Sequence, residues 1–385
     1  MPQELYSGYG SVARLGPVVR KARPECVFLV FDKGAFAKSG AERAADRALD
    51  GIRRVGFSDY VVNPRIEDIT RGVELLRTED CDMVIGVGGG SAMDTAKSVS
   101  LLAVQDSEPV AIVRGGIEPR PRQATLVMVP TTAGTGSEST HFSVVYIGAE
   151  KYSLAHPSML ADTVILDPAL TESMPPYLAA CTGMDAVCQA IESWWSVNST
   201  AESREYSRQS LALGIPNLEK AVADPDRGAR ECMLLASNLA GRAINIARTT
   251  VAHAVSYPIT SLFGVPHGHA VALTLPWFFE FNDRVDDDSV QDRRGVEHVR
   301  LVLSEILEAL GVGSAREARR LIVDLARRIG LAANLSDVGI GRDDIDAIVR
   351  HGLSPHRAEN NPRRVSAEDL REILERISDG ADLDG

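Results

Sequence analysis

The chain has 385 residues, 44% hydrophobic and 24% charged, with a net charge of −12, which leaves room for two domains with well-buried cores. An acidic balance of this size argues against nucleic acid or an anionic membrane as partner, and it does not steer a free anionic substrate, so any anion site has to be a local pocket. No apolar run approaches the ~20 residues of a membrane span, the first residues lack a signal-peptide pattern, and five scattered cysteines without a C-x-x-C pair fit a reduced cytoplasm.

In chain order, the spacing predicts a helix over Ser11 to Lys21 and a buried strand over Cys26 to Phe31 that ends in Asp32. Ala41 to Val55 reads as helix, Tyr60 to Val62 as a short strand stopped at Asn63-Pro64, and Ile66 to Leu76 as helix again. Asp82 to Val87 is nearly continuous and apolar, a buried strand that runs into Gly88-Gly89-Gly90. Ser91 is the expected N-cap of the following helix, with Asp94 in its first turn. Bare backbone N–H groups at a helix N-terminus suit a diphosphate, although glycines also serve ordinary tight turns. The run is neither G-x-G-x-x-G, because Ser91 replaces the last glycine, nor a P-loop.

Strands are also expected at Val110 to Val113, Thr125 to Val129 and Thr163 to Leu166, with a hairpin over His141 to Tyr146 and Lys151 to Leu154. Strands alternating with helices imply a parallel sheet covered on both faces. Asp32, at a strand end, could accept hydrogen bonds from a ribose or simply form a turn beside Lys33-Gly34. The run from Pro130 to Glu138, PTTAGTGSE, supplies small hydroxyl residues suited to phosphate or ribose. After Pro175-Pro176 long helical periodicities dominate, interrupted by a charged loop from Asp283 to Arg294 expected to be solvated. The second half is read as an all-α domain.

Three of the eight histidines cluster late in the chain: His253, His267 and His269. Upstream, Asp185 and Gln189 are four residues apart on one face of an apolar helix, where a carboxylate needs a partner. An aspartate with two histidines suits Zn²⁺ or Fe²⁺ with an open position; His269 reads more naturally as a hydrogen-bonded core residue.

The pieces Gly88-Gly89-Gly90-Ser91-x-x-Asp94-x-x-Lys97, PTTAGTGSE (130–138), TGMDA (182–186), AHAVSYP (252–258) and PHGHA (266–270) occur in this order. Together they resemble the motifs of the iron-containing (group III) alcohol dehydrogenases, a likeness that runs over essentially the whole chain. The resemblance implies a dehydroquinate synthase-like two-domain fold, with an α/β NAD-binding domain (1–168), an all-helical metal-binding domain (169–385) and NAD(P) in the cleft between them. It further implies that Gly88, Gly89, Gly90 and Ser91 hold the cofactor diphosphate, with Asp94 in the same motif, and that Asp32 holds the adenosine ribose. Asn63, Thr131, Thr132 and Lys151 would line the cofactor cleft, and Asp185, His253 and His267 would hold Fe²⁺ or Zn²⁺.

Two departures stand out. Gln189 replaces a histidine that many members use as a fourth ligand. Tyr257 replaces a histidine that many carry four residues after the first metal histidine, which removes one candidate proton relay and leaves Tyr257 as the candidate catalytic residue there. Within the family, Lys151 to Ser207 is most similar to the phosphonoacetaldehyde reductases. That similarity implies NADH-linked reduction of phosphonoacetaldehyde to 2-hydroxyethylphosphonate, with other short aldehydes (propanal, succinic semialdehyde) or lyase chemistry of the dehydroquinate synthase kind as alternatives. Lys151, His156, His356, Arg357, Arg363 and Arg364 are the candidate cations for the phosphonate. A cytoplasmic homodimer or larger homo-oligomer is expected.

Overall fold

The structure, a computed structural model, describes residues 3–148, 150–353 and 355–378, and of Pro355 and His356 the backbone alone. It divides into two compact units that meet in sequence between Met174 and Pro175. The first is α/β. Its six-stranded sheet has the order β1-β8-β5-β4-β2-β3, and every neighbouring pair is parallel. The strands are β1 (Glu4–Ser7), β2 (Cys26–Phe31), β3 (Arg53–Phe57), β4 (Met83–Gly88), β5 (Thr125–Pro130) and β8 (Thr163–Leu166), and β6 (Phe142–Ile147) pairs with β7 (Glu150–Ala155) in a separate antiparallel hairpin. Helices α1 (Leu15–Ala22), α2 (Lys33–Lys38), α3 (Ala41–Ala48), α4 (Ile66–Thr78), α5 (Gly90–Leu102) and α6 (Pro109–Val113) connect them.

The central strands are apolar because both faces are covered: Val27, Phe28 and Val30 of β2 and Met83, Val84 and Ile85 of β4 are fully buried. Each such side chain contributes about 1.5–3 kcal/mol of burial. The chain leaves β2 for the outer strand β3, then returns to β4 on the other side of β2. Strand order therefore reverses between β2 and β4, and open α/β sheets bind ligands at the C-terminal ends of the strands at such a switch point.

Five local expectations are corrected. The helix from Ala41 ends at Ala48 instead of Val55, and the strand is Arg53–Phe57 instead of Tyr60–Val62. Phe57 stacks on Phe28 with ring centroids 5.7 Å apart, whereas Val62 is 77% exposed, so packing onto the sheet chose the register. Val110 to Val113 belongs to one turn of helix opened by Pro109, a residue preset for the first helical position. Gly89, not Ser91, caps α5. The loop from Asp283 is not wholly solvated: Val285 and Asp292 are buried, and Asp292 grips Arg294 at 2.6 and 2.8 Å.

The second unit is helical: α7 (Pro176–Trp195), α8 (Ala201–Ala223), α9 (Arg227–Ala247), α10 (Val251–Phe263), α11 (His267–Asp283), α12 (Val296–Leu310), α13 (Ala315–Arg328), α14 (Ile345–Gly352), α15 (Pro355–Ala358) and α16 (Ala367–Ser378). Helix α7 is apolar on almost every side and buried accordingly from Ala179 onward. It packs against α8, α9, α11 and α12 and forms the axis of the unit. Among the described residues, no helix is long and apolar enough to cross a membrane.

Candidate active site

Helix α7 presents Asp185, Gln189 and Glu192 at i, i+4 and i+7, a single stripe in which all three are buried. Glu192 anchors the start of α10. Its Oε1 accepts from the N–H groups of Thr250 (3.2 Å), Ala252 (3.0 Å) and His253 (3.3 Å) and from the Thr250 hydroxyl (2.6 Å). Its Oε2 takes the Nδ1–H of His253. That bond fixes the tautomer and turns Nε2 toward Asp185, 3.3 Å from Oδ1. Burial alone would pull the His253 imidazole down, but the Glu192 and Asp185 carboxylates outweigh it and hold the group up at about 9.

His267 opens α11. Its Nδ1 lies 3.1 Å from Ser256 Oγ, and that hydroxyl donates onward to the carbonyl of His253 at 2.7 Å. Nδ1–H is thus the donor, and Nε2 faces Asp185 Oδ1 at 3.9 Å. Gly268 makes this approach attainable: a Cβ there would stand 2.0 Å from the Cys181 carbonyl oxygen and 2.9 Å from Asp185 Cβ.

One donor atom from each of Asp185, His253 and His267 lies within 4.8 Å of the other two. Ligands at Zn²⁺-type distances of about 2.1 Å sit about 3.4 Å apart around a tetrahedron, so the cluster fits a divalent cation with little movement. His253 Nε2 and Gln189 Oε1 are buried without hydrogen-bond partners among the described residues, as donors held for an ion would be. Gln189 spends its amide N–H on Asp185 Oδ2 at 3.1 Å. Tyr257 stacks beside His267, ring centroids 6.0 Å apart at 22°. His269 is a core residue, bonded through Nε2 to the Ala332 carbonyl (3.0 Å) and through Nδ1 to the Tyr177 hydroxyl (3.1 Å).

In the first unit, Gly88 ends β4 at φ 151°, and a Cβ there would meet that of Ala92 at 2.7 Å. Asp32, at the end of β2, lies beside it; its Oδ1 caps α2 through the N–H groups of Gly34 and Ala35, both at 2.9 Å. Thr132 lies against Gly89, and Thr131 donates its N–H to the Gly88 carbonyl at 2.9 Å. The Thr131 hydroxyl is buried without a partner among the described residues. Ser91 accepts from the Asn63 N–H at 3.1 Å instead of capping the helix. Lys151 pairs across the hairpin with Tyr146, whose N–H reaches the Pro64 carbonyl, so it adjoins the Asn63 turn. Asp94 turns inward: it accepts from the Ser137 hydroxyl (2.5 Å) and the Val144 N–H (3.0 Å), and it lies 3.3 Å from the buried Lys97. Lys97 donates to the carbonyls of Ser137 and Phe142 and to the Thr140 hydroxyl. These two residues brace the PTTAGTGSE loop against α5.

Most of the candidate phosphonate cations are committed elsewhere. His156 caps a turn by accepting the Ser158 N–H at 3.1 Å, and Arg363 donates to the Phe281 carbonyl at 2.7 Å while lying over its ring. Arg364 is exposed, and the His356 side chain lies outside the described residues. Arg357 instead reaches a buried hydroxyl, Thr249 Oγ1, at 2.7 Å. Glu192 and Ser256 were missed from the sequence. The signal for Glu192 was there, a third polar residue on the Asp185 stripe of an apolar helix.

Known proteins resemble this chain over nearly its whole length. A probable alcohol dehydrogenase, EutG, of Escherichia coli is 33% identical over 377 residues, covering 96% of this chain and 92% of that protein. A phosphonoacetaldehyde reductase of Streptomyces viridochromogenes is 33% identical over 389 residues, covering 96% and 95%. The crystal structure of sulfoacetaldehyde reductase from Bifidobacterium kashiwanohense in complex with NAD+ superposes with a TM-score of 0.87 at 30% identity, covering 98% and 97%. Residues 2–168 match the iron-containing alcohol dehydrogenase family and residues 179–378 its C-terminal domain. The chain therefore belongs to the iron-containing alcohol dehydrogenases, a family of oxidoreductases.

Proposed function

We propose that this enzyme uses NADH and Fe²⁺ (Zn²⁺ as the alternative ion) to reduce a small aldehyde that carries a tetrahedral anion, phosphonoacetaldehyde, to its primary alcohol. The observation that carries the reading is the convergence of Asp185, His253 and His267, with both imidazole tautomers set by Glu192 and Ser256. When bound, the metal polarises a carbonyl and steadies the developing alkoxide, while the nicotinamide supplies the hydride. Residues 169–385 are assigned to the metal and residues 1–168 to the cofactor. Asp185, His253 and His267 are the assigned ligands, with Gln189 offering its amide oxygen. Tyr257, beside His267, is assigned the proton that the product oxygen takes up. The turn Gly88 to Ser91, with Thr131 and Thr132, would receive the diphosphate, Asp32 the ribose, and Asn63 and Lys151 the flank of the same site. Asp94 would act at one remove, by bracing the loop that carries the threonines. The substrate reading draws support from two of the relatives compared above, which by name reduce aldehydes bearing a phosphonate or a sulfonate. We assign the enzyme to the cytoplasm as a homo-oligomer.

The test is NADH oxidation by protein reconstituted anaerobically with Fe²⁺ or with Zn²⁺, against phosphonoacetaldehyde, acetaldehyde, propanal and succinic semialdehyde at matched ionic strength. A charge-assisted pocket should favour the phosphonate by at least ~10-fold in kcat/KM, equivalent to ~1.4 kcal/mol. Equal turnover of acetaldehyde or propanal would remove the phosphonate and leave a dehydrogenase of neutral short aldehydes.

A further inference from the structure

Two of the five cysteines meet inside the first unit. Cys26 opens β2, and Cys81 stands two residues before β4, the neighbouring parallel strand. Their Sγ atoms lie 2.8 Å apart, and both side chains are buried. The backbone around each is fixed. Helix α4 ends in a left-handed cap: Asp80 sits at φ 47°, its N–H donates to the Arg77 carbonyl at 3.2 Å, and the Cys81 N–H reaches back to the Leu76 carbonyl at 3.2 Å. Asp82, the next residue, hooks the start of β2. Its Oδ1 accepts the N–H groups of Glu25 and Cys26, both at 3.1 Å, and its own N–H donates to the Cys26 carbonyl at 3.1 Å. On the other side of β2, Arg53 is the register partner of Cys26 and pairs with Glu79 of the α4 cap at 3.0 Å.

The spacing of the sulfurs decides between two uses of a cysteine pair. Two thiolates on a Zn²⁺-type ion at about 2.3 Å sit about 3.8 Å apart around a tetrahedron. A disulfide needs its sulfurs about 2.0 Å apart, so this pair has less than ~1 Å to close and is spaced for a bond instead of an ion. The one further contact of the Cys81 thiol is weak, 3.9 Å to the Glu79 carbonyl. Burial, and then Cys26, push that thiol well above its ordinary pKa, so it is protonated at neutral pH and reacts slowly. Cys26 is 0% exposed and Cys81 7%, which makes Cys81 the sulfur that a small oxidant meets first.

We propose that Cys26 and Cys81 are a modification site, where a peroxide forms a reversible disulfide that staples the start of β2 to the approach of β4. The Cys81 sulfur takes one peroxide oxygen as a sulfenic acid, and the other oxygen leaves as water. The Cys26 sulfur then displaces that hydroxyl, which departs with the Cys26 thiol proton as a second water. Two thiols and one hydrogen peroxide thus give one disulfide and two waters. The closed loop contains α2, α3, β3 and α4, and a cross-link over so much chain removes conformations from the unfolded state. Cys26 and Asp32 lie at opposite ends of β2, about 20 Å of strand apart, so the staple strengthens the unit at a distance from the proposed cofactor turn. In a reducing compartment the thiol pool returns the pair to the reduced form once the oxidant is spent.

The test uses the enzyme loaded with Zn²⁺, which brings no redox chemistry of its own. It is treated with hydrogen peroxide, alkylated under denaturing conditions and mapped by mass spectrometry without reductant. The expected product is a peptide pair joined through Cys26 and Cys81, lighter by two hydrogens than its separate parts and released by a thiol reductant. The Tm of the oxidised wild type should rise by several degrees and fall back on reduction. Cys26→Ala and Cys81→Ala, each compared with its own untreated sample, should show no such rise. Half-buried Cys232 serves as the internal control for oxidant reaching thiols. Cys26 and Cys81 both recovered alkylated in protein whose Cys232 has been oxidised would overturn the proposal. So would Cys81 found as sulfinic or sulfonic acid beside an intact Cys26 thiol, or a mapped cross-link that leaves the Tm unmoved or lowers it.

Discussion

Glu192→Gln should weaken metal binding with little effect on the fold. Replacement by alanine would be uninformative, because it strips the acceptor from three buried N–H groups, those of Thr250, Ala252 and His253. At about 1–3 kcal/mol for each orphaned donor, the loss of roughly 3–9 kcal/mol rivals the whole stability of a typical domain. Glutamine has the same shape and keeps one oxygen for those donors. Its amide N–H₂ must then face His253 Nδ1, which can only accept from it. The ring proton moves to Nε2, and the lone pair that should meet the metal is gone. Loss of such an outer partner costs about 10–100-fold in metal affinity, or about 1.4–2.7 kcal/mol. Competition with a chelating dye gives the Kd for Fe²⁺ or Zn²⁺, and thermal unfolding of the metal-stripped protein checks the fold. A Kd equal to wild type in a protein whose Tm has not moved would refute the tautomer argument.

Asp185→Ala and His267→Ala should each abolish turnover and bound metal while NADH binding, read by fluorescence, survives; full activity of the metal-stripped wild type would contradict this. Gln189→His should tighten metal binding by about tenfold, since imidazole is a better ligand for these ions than a neutral amide oxygen; an unchanged titration would mean that Gln189 serves only to hold Asp185. Asp32→Gly should relax the expected preference for NADH over NADPH in kcat/KM at a stability cost of only a few tenths of a kcal/mol, because glycine is itself a tolerated N-cap; a wild type that prefers NADPH would remove Asp32 from the ribose site. For pH, the His253 imidazole is held up to about 9 against an ordinary 6.5, so the metal must displace a proton below that value. Apparent metal affinity should therefore fall about tenfold for each pH unit below 9. The stability this imidazolium lends the metal-stripped protein is fully present below pH 6.5 and lost as pH rises through 9; a pH-independent Kd would show that His253 is neutral throughout.

The buried strands and long helices were legible because their apolar runs exceed what a loop can carry: Cys26–Phe31 and Thr163–Leu166 are strands at the residues expected. Edge strands were not. Arg53–Phe57 pairs with β2 on one side only and carries two arginines, so its alternation is blurred, and Glu4–Ser7 at the opposite edge shows only two apolar residues. Val110 to Val113 has four apolar residues, too few to separate a period of 2 from one of 3.6. At the candidate metal centre Asp185, His253 and His267 stood out as residue types foreign to apolar helices. Ser256 did not, since a serine in a helix is ordinary until its hydroxyl is seen between His267 and the His253 carbonyl.

The burial of Lys97 has a use beyond holding a loop. Its amine has no path to solvent, and burial lowers its pKa against the pull of Asp94. An acylating reagent can modify it only while Ser137, Thr140 and Phe142 have let go. The labelling rate at this one site, followed by mass spectrometry, therefore clocks the opening of the PTTAGTGSE loop. Dinucleotide that binds against Thr131 and Thr132 should slow that clock in proportion to its occupancy, which makes an inert lysine a reporter of cofactor binding that needs neither metal nor substrate.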